Sequence, residues 1–474
     1  MNDKSPRPMA FNAFAMNTIT HMSPGLWRAP GDRTRSYREL SYWQDLARLA
    51  EEGCFEALFI ADVLGLYDAY QGNDQAAYRS GVQVPVNDPL TIAAIGAAVT
   101  EHLGFGITAS VFFEHPFPFA RRLSTLDHLT GGRIGWNIVT GYLPSANRNL
   151  GLREFPHDER YDYADEYMEV IYKLLEGSWE DDAMVLDPAS GMVADPRRIH
   201  HIGHRGHFFD VPGAHLCEPS PQRTPVLFQA GFSPRGMRFA ATHAEVIFIS
   251  PVTRDYTRQA IARIRSELAA QGRDPHSAKI FVLMTIITDE TQALAEAKYR
   301  DLQRYVNLEG ALVANSGWLG TDLGRFELDA PLTGIDSNAV RSRAEALAGS
   351  TTQDGQVWTL RALLQHSGIG GAGPKIVGSP QRVADELQAF VKDTDADGFN
   401  LSFATMPGTL QDVVRLVVPE LQRRGVYRQE YAPGTLRHKL FGQGDRLPPW
   451  HSGAQYRVGG ARSTIDDTLG ARPA

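Results

Sequence analysis

Six polar side chains stand where apolar runs end. Asp62 closes the run 57–61, Thr108 and Ser110 come late in the run 105–111, Asn137 nears the end of 134–138, and Gln229 and Ser233 close and follow the run 226–230. An acid, two amides and three hydroxyls at the ends of apolar strands can hydrogen-bond a polar ring or hold a proton, and a barrel delivers such groups to one rim. Each residue taken alone reads more readily as a helix N-cap or a satisfied core polar group than as part of a site. Their shared position points to a site.

Two segments add anion chemistry. Gln229-Ala230-Gly231-Phe232-Ser233-Pro234-Arg235-Gly236 reads as strand, turn and helix. Gly231 permits a tight approach, Ser233 can cap and Pro234 suits the first helical turn, so free backbone N–H groups would face a phosphate. A plain capped helix has the same signature. In His157-Asp158-Glu159-Arg160-Tyr161, His157 and Tyr161 share one helix face and can grip an anion or a ring, while Asp158 can simply cap.

Two other motifs point elsewhere. His200, His201, His204 and His207 crowd into eight residues, yet no HExxH helix accompanies them and their neighbours read as a hairpin. A formal GxGxxG runs from Gly368 to Gly373, but it follows the helical segment 358–366 instead of a strand, the wrong setting for a dinucleotide turn. No P-loop and no GxSxG elbow occurs.

Such residues need elements to position them. Short apolar runs at 11–15, 57–61, 105–111, 134–138, 226–230, 246–249, 280–287 and 399–403 alternate with segments of helical period at 37–52, 89–100, 116–129, 161–176, 234–243, 256–271, 290–306 and 410–424. In the third run Phe105, Ile107, Ala109 and Val111 face one way and Gly106, Thr108 and Ser110 the other, as in a barrel strand that turns small polar residues to a central mouth. The expectation is an α/β protein, a (β/α)8 TIM barrel over 1–441 with insertions near 177–225 and 308–375, and a C-terminal extension, 442–474, that wraps the surface or a partner subunit.

Composition narrows the partners. The 474 residues hold 47 Lys+Arg against 55 Asp+Glu, a net charge of −8, which argues against nucleic acid or an anionic membrane. Two cysteines, Cys54 and Cys217, are too few for a disulfide framework, and no run approaches a membrane span, so a soluble cytoplasmic protein is expected.

The stretch 119–140, with Leu126-Asp127-His128-Leu129-Thr130-Gly131-Gly132-Arg133 at its centre, resembles the bacterial luciferase-like two-component flavin monooxygenases, in particular the nitrilotriacetate and dibenzothiophene sulfone monooxygenase group. Val383-Ala384-Asp385-Glu386-Leu387, Asp397-Gly398-Phe399 and Val418-Pro419-Glu420-Leu421 extend the likeness. It implies an oxygenase component that takes reduced FMN (FMNH2) from a separate NAD(P)H:flavin reductase, reacts it with O2, needs no metal and forms a homo-oligomer, dimer or tetramer. Residue by residue, FMN-binding roles fall on Asp62, Thr108, His157, Tyr161 and Ser233, and Ser110 and Asn137 line the site. His21, shortly after the first strand, is the candidate catalytic residue contacting the activated oxygen or the substrate, against the plainer role of capping a loop. Segments 54–56, 85–89, 178–182 and 217–225 look most similar to the dimethyl sulfide-oxidising branch, which implies a small organosulfur substrate, with an aromatic sulfone, a halogenated ring or an aminopolycarboxylate as alternatives. The aromatic residues Phe112, Phe113, Phe117, Phe119, Phe248 and Trp318 are expected to frame the mouth. A metal-dependent barrel hydrolase built on the histidine cluster and a non-catalytic flavin-binding protein are the readings from other classes.

Overall fold

The computed structural model describes residues 8–152, 155–231, 233–332 and 357–458. All eight apolar runs form strands: β1 Ala10–Met16, β2 Ala57–Ala61, β3 Gly104–Ser110, β4 Ile134–Val139, β5 Val226–Gln229, β6 Val246–Ile249, β7 Lys279–Thr288 and β8 Gly398–Ser402. Every neighbouring pair is parallel, and the circle closes where β8 meets β1 and β6 meets β7. This is a closed (β/α)8 barrel, the fold expected from the strand pattern. β7 is the longest strand. Its first half pairs with β6 and β8, and its second half carries an extra short strand, Lys375–Gly378.

The barrel interior is built from matched pairs of large and absent side chains. Phe14, Phe59, Phe228, Phe281 and Leu283 fill it. A Cβ placed on Gly106 would come within 2.7 Å of the Phe59 ring, one on Gly135 within 2.5 Å of Phe228, and one on Gly398 within 2.9 Å of Phe281. Gly106 and Gly135 thus each make room for one ring on a neighbouring strand, and Gly398 clears both the Phe281 ring and the Ala10 carbonyl, which a Cβ would overlap. The outward residues of the same strands, such as Leu58, Ile60, Phe105 and Ile107, pack under the helices in a second apolar layer.

The amino-terminal mouth is plugged by the helix Leu436–Phe441, whose Leu436 and Leu440 insert into the barrel cluster. Arg437, 2% exposed, forms an ion pair with Glu245 at 2.7 Å and donates to the carbonyls of Thr224, Pro225 and Asp445. Glu245 in turn accepts from Leu227 N–H. Burial alone would raise the Glu245 carboxyl, but the guanidinium outweighs it and holds the group below its usual range.

Helices Pro116–Leu129 and Pro234–His243 have the bounds read from sequence, while the helix read at 161–176 begins earlier, at His157, and runs to Gly177. The segment 177–225 holds two small hairpins, Met184–Asp187 with Met192–Ala194 and His204–Arg205 with Asp210–Val211. Within 308–375 the described residues include helices Leu308–Leu319 and Leu360–Ser367. The turn Ser452–Tyr456 lies on the helix His157–Gly177, and Arg457 just after it pairs with the buried Glu176 at 2.9 Å. Among the described residues no helix is long and apolar enough to cross a membrane.

Candidate active site

β2 and β3 end beside a cavity of about 420 Å3 that is lined by Asp62, Asp88, Thr108, Ser110, Phe113 and Phe119 among others. Three residues singled out from the sequence therefore share one wall. Burial, reinforced by the charge of Asp88, pushes the Asp62 carboxyl up to about 7, against a hydrogen bond from Val63 N–H. Asn137 reaches across from β4 and donates to Thr108 Oγ1 at 2.9 Å, which leaves its own buried Oδ1 without a protein partner. Ser110 Oγ accepts from Phe112 N–H at 3.2 Å.

The loop after β1 brings His21 over the barrel. Its ring meets Phe14 edge to face, with centroids 4.5 Å apart. Burial drives the imidazole pKa down to about 3, opposed by a hydrogen bond to the Phe14 backbone. His21 is therefore neutral at ordinary pH: one ring N–H is spent on the Phe14 carbonyl, and the other nitrogen is an acceptor. His21, Thr18, Thr20 and Trp27 help wall a small cavity of about 30 Å3. The Thr18 and Thr20 hydroxyls are buried and find no partner in the protein.

The third element set lies around β4 and β5. Ser233 caps the helix Pro234–His243 by accepting from Gly236 N–H at 3.0 Å. Tyr161, 6% exposed, packs on Phe239 and brings its hydroxyl against that helix start, where a Cβ on Gly236 would come within 2.6 Å of it. Arg235 lies over the Tyr161 ring and binds Asp162 and Asp165. The His157 backbone opens the helix His157–Gly177; its side chain, like residue Phe232, lies outside the described residues.

Barrel, rim cavity and capped helix start now stand together, and the sequence profile of the luciferase-like monooxygenases matches residues 18–397. The chain belongs to the luciferase-like monooxygenase family. It is similar to the dimethyl-sulfide monooxygenase of Hyphomicrobium sulfonivorans, 48% identical over 464 residues that cover 97% of this chain and 96% of the relative. The crystal structure of DmoA from that organism superposes with a TM-score of 0.92 at 46% identity, over 99% of both chains. The long-chain alkane monooxygenase of Geobacillus thermodenitrificans is 46% identical over 94% of this chain and 97% of the relative. The crystal structure of riboflavin lyase with modified FMN gives a TM-score of 0.87 at 33% identity, over 95% of this chain and 100% of that one. The protein is a flavin-dependent monooxygenase.

In this luciferase-like monooxygenase the remaining motifs serve structure. His200 binds Glu180 at 2.9 Å, whereas His204 sits between Lys173 and Glu166, so the histidines are divided among separate carboxylates. Glu166 also accepts from the N–H groups of His207, Phe208 and Phe209, which fixes the small hairpin. The Gly368–Gly373 run packs against Thr285 and Met22 and joins helix to strand, with no helix following it to receive a pyrophosphate. Of the expected mouth aromatics, Phe113 and Phe119 line the cavity, Phe248 packs inside the barrel on Phe14 and Phe59, and Phe112 stacks on Tyr163.

Sequence reading missed a polar aromatic network. Tyr67 Oη bonds Tyr142 Oη, donates to Gln83 Oε1 at 2.9 Å and accepts from Trp318 Nε1 at 3.1 Å, and Gln83 Nε2 donates to the His21 carbonyl at 3.3 Å. Burial pushes the Tyr142 hydroxyl up to about 12, so it stays protonated. Arg160 was passed over too: it donates to the Gly141 carbonyl after β4 and keeps a buried Nε without a partner. Its place in the His157 to Tyr161 segment was the available signal.

Proposed function

We propose that this monooxygenase binds reduced FMN across the carboxyl-terminal rim and uses it with O2 to oxygenate a small, weakly polar organosulfur compound, dimethyl sulfide being the leading case. The observation that carries the reading is a rim with two parts, a helix start met by Ser233 and Tyr161, which suits an anion, and a cavity lined by Asp62, Thr108 and Ser110. A flavin mononucleotide has the same division, a phosphate at one end and a polar-edged ring at the other. The buried, unpartnered Asn137 Oδ1 between them suits a ring N–H donor.

Bound reduced FMN would supply the two electrons that activate O2. The chain's own residues bind, orient and exclude water. The helix N–H groups with Ser233 and Tyr161 hold the phosphate. Asp62 donates a hydrogen bond below pH about 7 and accepts above it. His21, neutral, offers only an acceptor nitrogen and so orients an O–H at the reacting centre. Phe14, Phe59 and Phe248 form a dry floor, and side reaction with water is what such a floor prevents.

The charges of the rim support a weakly polar substrate. The guanidinium at the cavity, Arg122, already faces Glu114 at 3.3 Å, while Asp62 and Asp88 stand beside it. A carboxylated substrate would lose hydration there without a free cation to replace it. The name of the dimethyl-sulfide monooxygenase relative supports the sulfur preference. A separate NAD(P)H:flavin reductase would deliver the FMN, since the one formal glycine fingerprint is not a dinucleotide turn.

Oxygen uptake with FMN and a flavin reductase, across sulfides, sulfones, halogenated rings and aminopolycarboxylates, tests the proposal. Turnover confined to polycarboxylates would overturn it, and aldehyde release from the sulfide would assign C–S cleavage over sulfoxidation. Loss of activity on EDTA dialysis, or full NADH-driven turnover by the isolated chain with free FMN, would overturn the metal-free, reductase-dependent scheme.

A further inference from the structure

The two helices that meet at the proposed phosphate site come from distant parts of the chain. The helix His157–Gly177 carries Tyr161, and the helix Pro234–His243 opens at Ser233. Both can face one group only while their register holds, because a helix that rolls or slides by one residue presents a different side chain. Arg235, Phe239 and His243 recur every four residues and form one stripe, and Tyr161 and Asp165 form the opposing stripe at the same spacing. The stripes interleave. The Arg235 guanidinium lies 5.4 Å over the Tyr161 ring, that ring packs on Phe239 with centroids 5.6 Å apart, and Phe239 packs on His243 at 4.6 Å.

Asp165 spans the stripe. Its Oδ2 accepts from Arg235 at 2.5 Å in the first turn of the helix Pro234–His243, and its Oδ1 accepts from His243 Nε2 at 2.9 Å at the last residue. Burial alone would raise the Asp165 carboxyl, but the His243 and Arg235 donors outweigh it and hold the group below its usual range. With Nε2–H given to the carboxylate, His243 Nδ1 meets Tyr172 Oη at 3.0 Å, and Tyr172 is a buried residue of the same helix as Asp165. The far end of the helix Pro234–His243 is held from its other side. His451 Nδ1 accepts from Gly453 N–H, so its Nε2 donates to the His243 carbonyl at 2.9 Å, and Ser452 Oγ donates to the Thr242 carbonyl at 3.2 Å.

We propose that Asp165 is a positioning residue for the flavin phosphate: by binding Arg235 and His243 at once, it sets Tyr161 and Ser233 opposite each other. The proposal rests on the phosphate assignment made above. Asp162 also binds Arg235, at 3.0 Å, but its side chain is 63% exposed, and of the two carboxylates only Asp165 reaches His243 as well. A screened contact at one end leaves the helix free to roll, whereas one carboxylate bound at both ends does not. Arg235 stands beside the helix start, yet two carboxylates match its charge, so it serves the clamp and the phosphate is left to Ser233, Tyr161 and the helix N–H groups.

Anaerobic titration with reduced FMN and with reduced riboflavin, which differ by the phosphate alone, provides the test. The wild type should bind FMN more tightly than riboflavin. Asp165→Ala should weaken FMN by about tenfold and leave riboflavin unchanged, the loss of one well-placed phosphate contact. Asp165→Asn, which keeps one of the two acceptor oxygens, should fall between, and Asp162→Asn should leave the ratio of the two affinities at its wild-type value. Asp165 variants with the wild-type ratio, or with both flavins weakened equally as in a general loss of structure, would overturn the proposal. So would an Asp162→Asn that shifts the ratio as far, or an Asp165→Ala that tightens FMN, since Arg235 would then be a phosphate ligand that Asp165 withholds. A wild type that binds both flavins equally would overturn the phosphate assignment itself, and this role with it.

Discussion

The two mouths of the barrel treat buried polar atoms in opposite ways. At the amino-terminal mouth Arg437 meets Glu245 and three carbonyls, and Asp127 accepts both the N–H and the side-chain amide of Gln222. At the carboxyl-terminal mouth the hydroxyls of Thr18 and Thr20 and the amide oxygens of Asn17 and Asn137 are buried without a partner, and Asp62 titrates near 7 instead of in the carboxylate range. The Arg437 and Asp127 clusters at one end turn their polar groups into cohesion. The other keeps hydrogen-bonding capacity in reserve, at a cost in stability, where a ligand can use it.

The largest expected effect tests the cohesive end. Arg437→Ala strands the Glu245 carboxylate in a dry setting and should cost about 3–5 kcal/mol in chemical denaturation, with flavin affinity of the folded fraction unchanged. A loss under about 1 kcal/mol would break the contrast between the mouths. Next comes the end of the rim proposed to hold the phosphate. His157→Ala and Ser233→Ala should each weaken FMN binding about tenfold by titration, with the lost cap at Ser233 costing about 1 kcal/mol of stability. Unchanged titration curves for both variants would reject the phosphate assignment.

A pH experiment isolates Asp62. Its folded pKa is raised above the unfolded value, so the folded state binds the extra proton and this group's contribution to stability falls as pH rises from about 4 to about 7. Asp62→Asn should therefore leave the melting temperature at pH 4 unchanged and raise it at pH 8 by roughly 2 °C or more. His21 runs the other way: its folded pKa is depressed, so stability is lost as pH falls from about 6.5 toward about 3, and His21→Gln should flatten that limb. The smallest effect, expected at Thr18 and Thr20, is read against a partnered threonine at the other mouth. Thr224 Oγ1 donates to Glu176 at 2.7 Å, so Thr224→Val should cost about 2 kcal/mol. The same change at Thr18 or Thr20 removes a hydroxyl with no partner and should fall within about 0.5 kcal/mol of neutral, or stabilise.

Much of the frame is legible in local sequence. The eight strands fall within one or two residues of their apolar runs because a barrel strand must be apolar toward its helices whatever surrounds it. Asp62, Thr108 and Ser110 can be placed on one wall because strand ends share a rim. Pairings between distant segments leave no local trace. Arg437 and Glu245 lie 192 residues apart, and Trp318 and Tyr67 lie 251 apart, and nothing in the period of either segment announces its partner. The bounds of β7 show the limit in small: its apolar run is visible, but that its far half would carry the strand Lys375–Gly378 is decided by a segment about ninety residues downstream.

The glycine and phenylalanine pairs inside the barrel bear on how such a protein changes over generations. A methyl group gained at Gly106 has no room unless Phe59 shrinks, and the same holds for Gly135 with Phe228, whereas at Gly398 the backbone carbonyl of Ala10 blocks it whatever stands at Phe281. Drift at one member is purged until its mate has changed, so the pairs should be inherited together and replaced together in related chains. The floor beneath the rim is thereby buffered, and loops above it are free to diversify toward new substrates on an unchanging base.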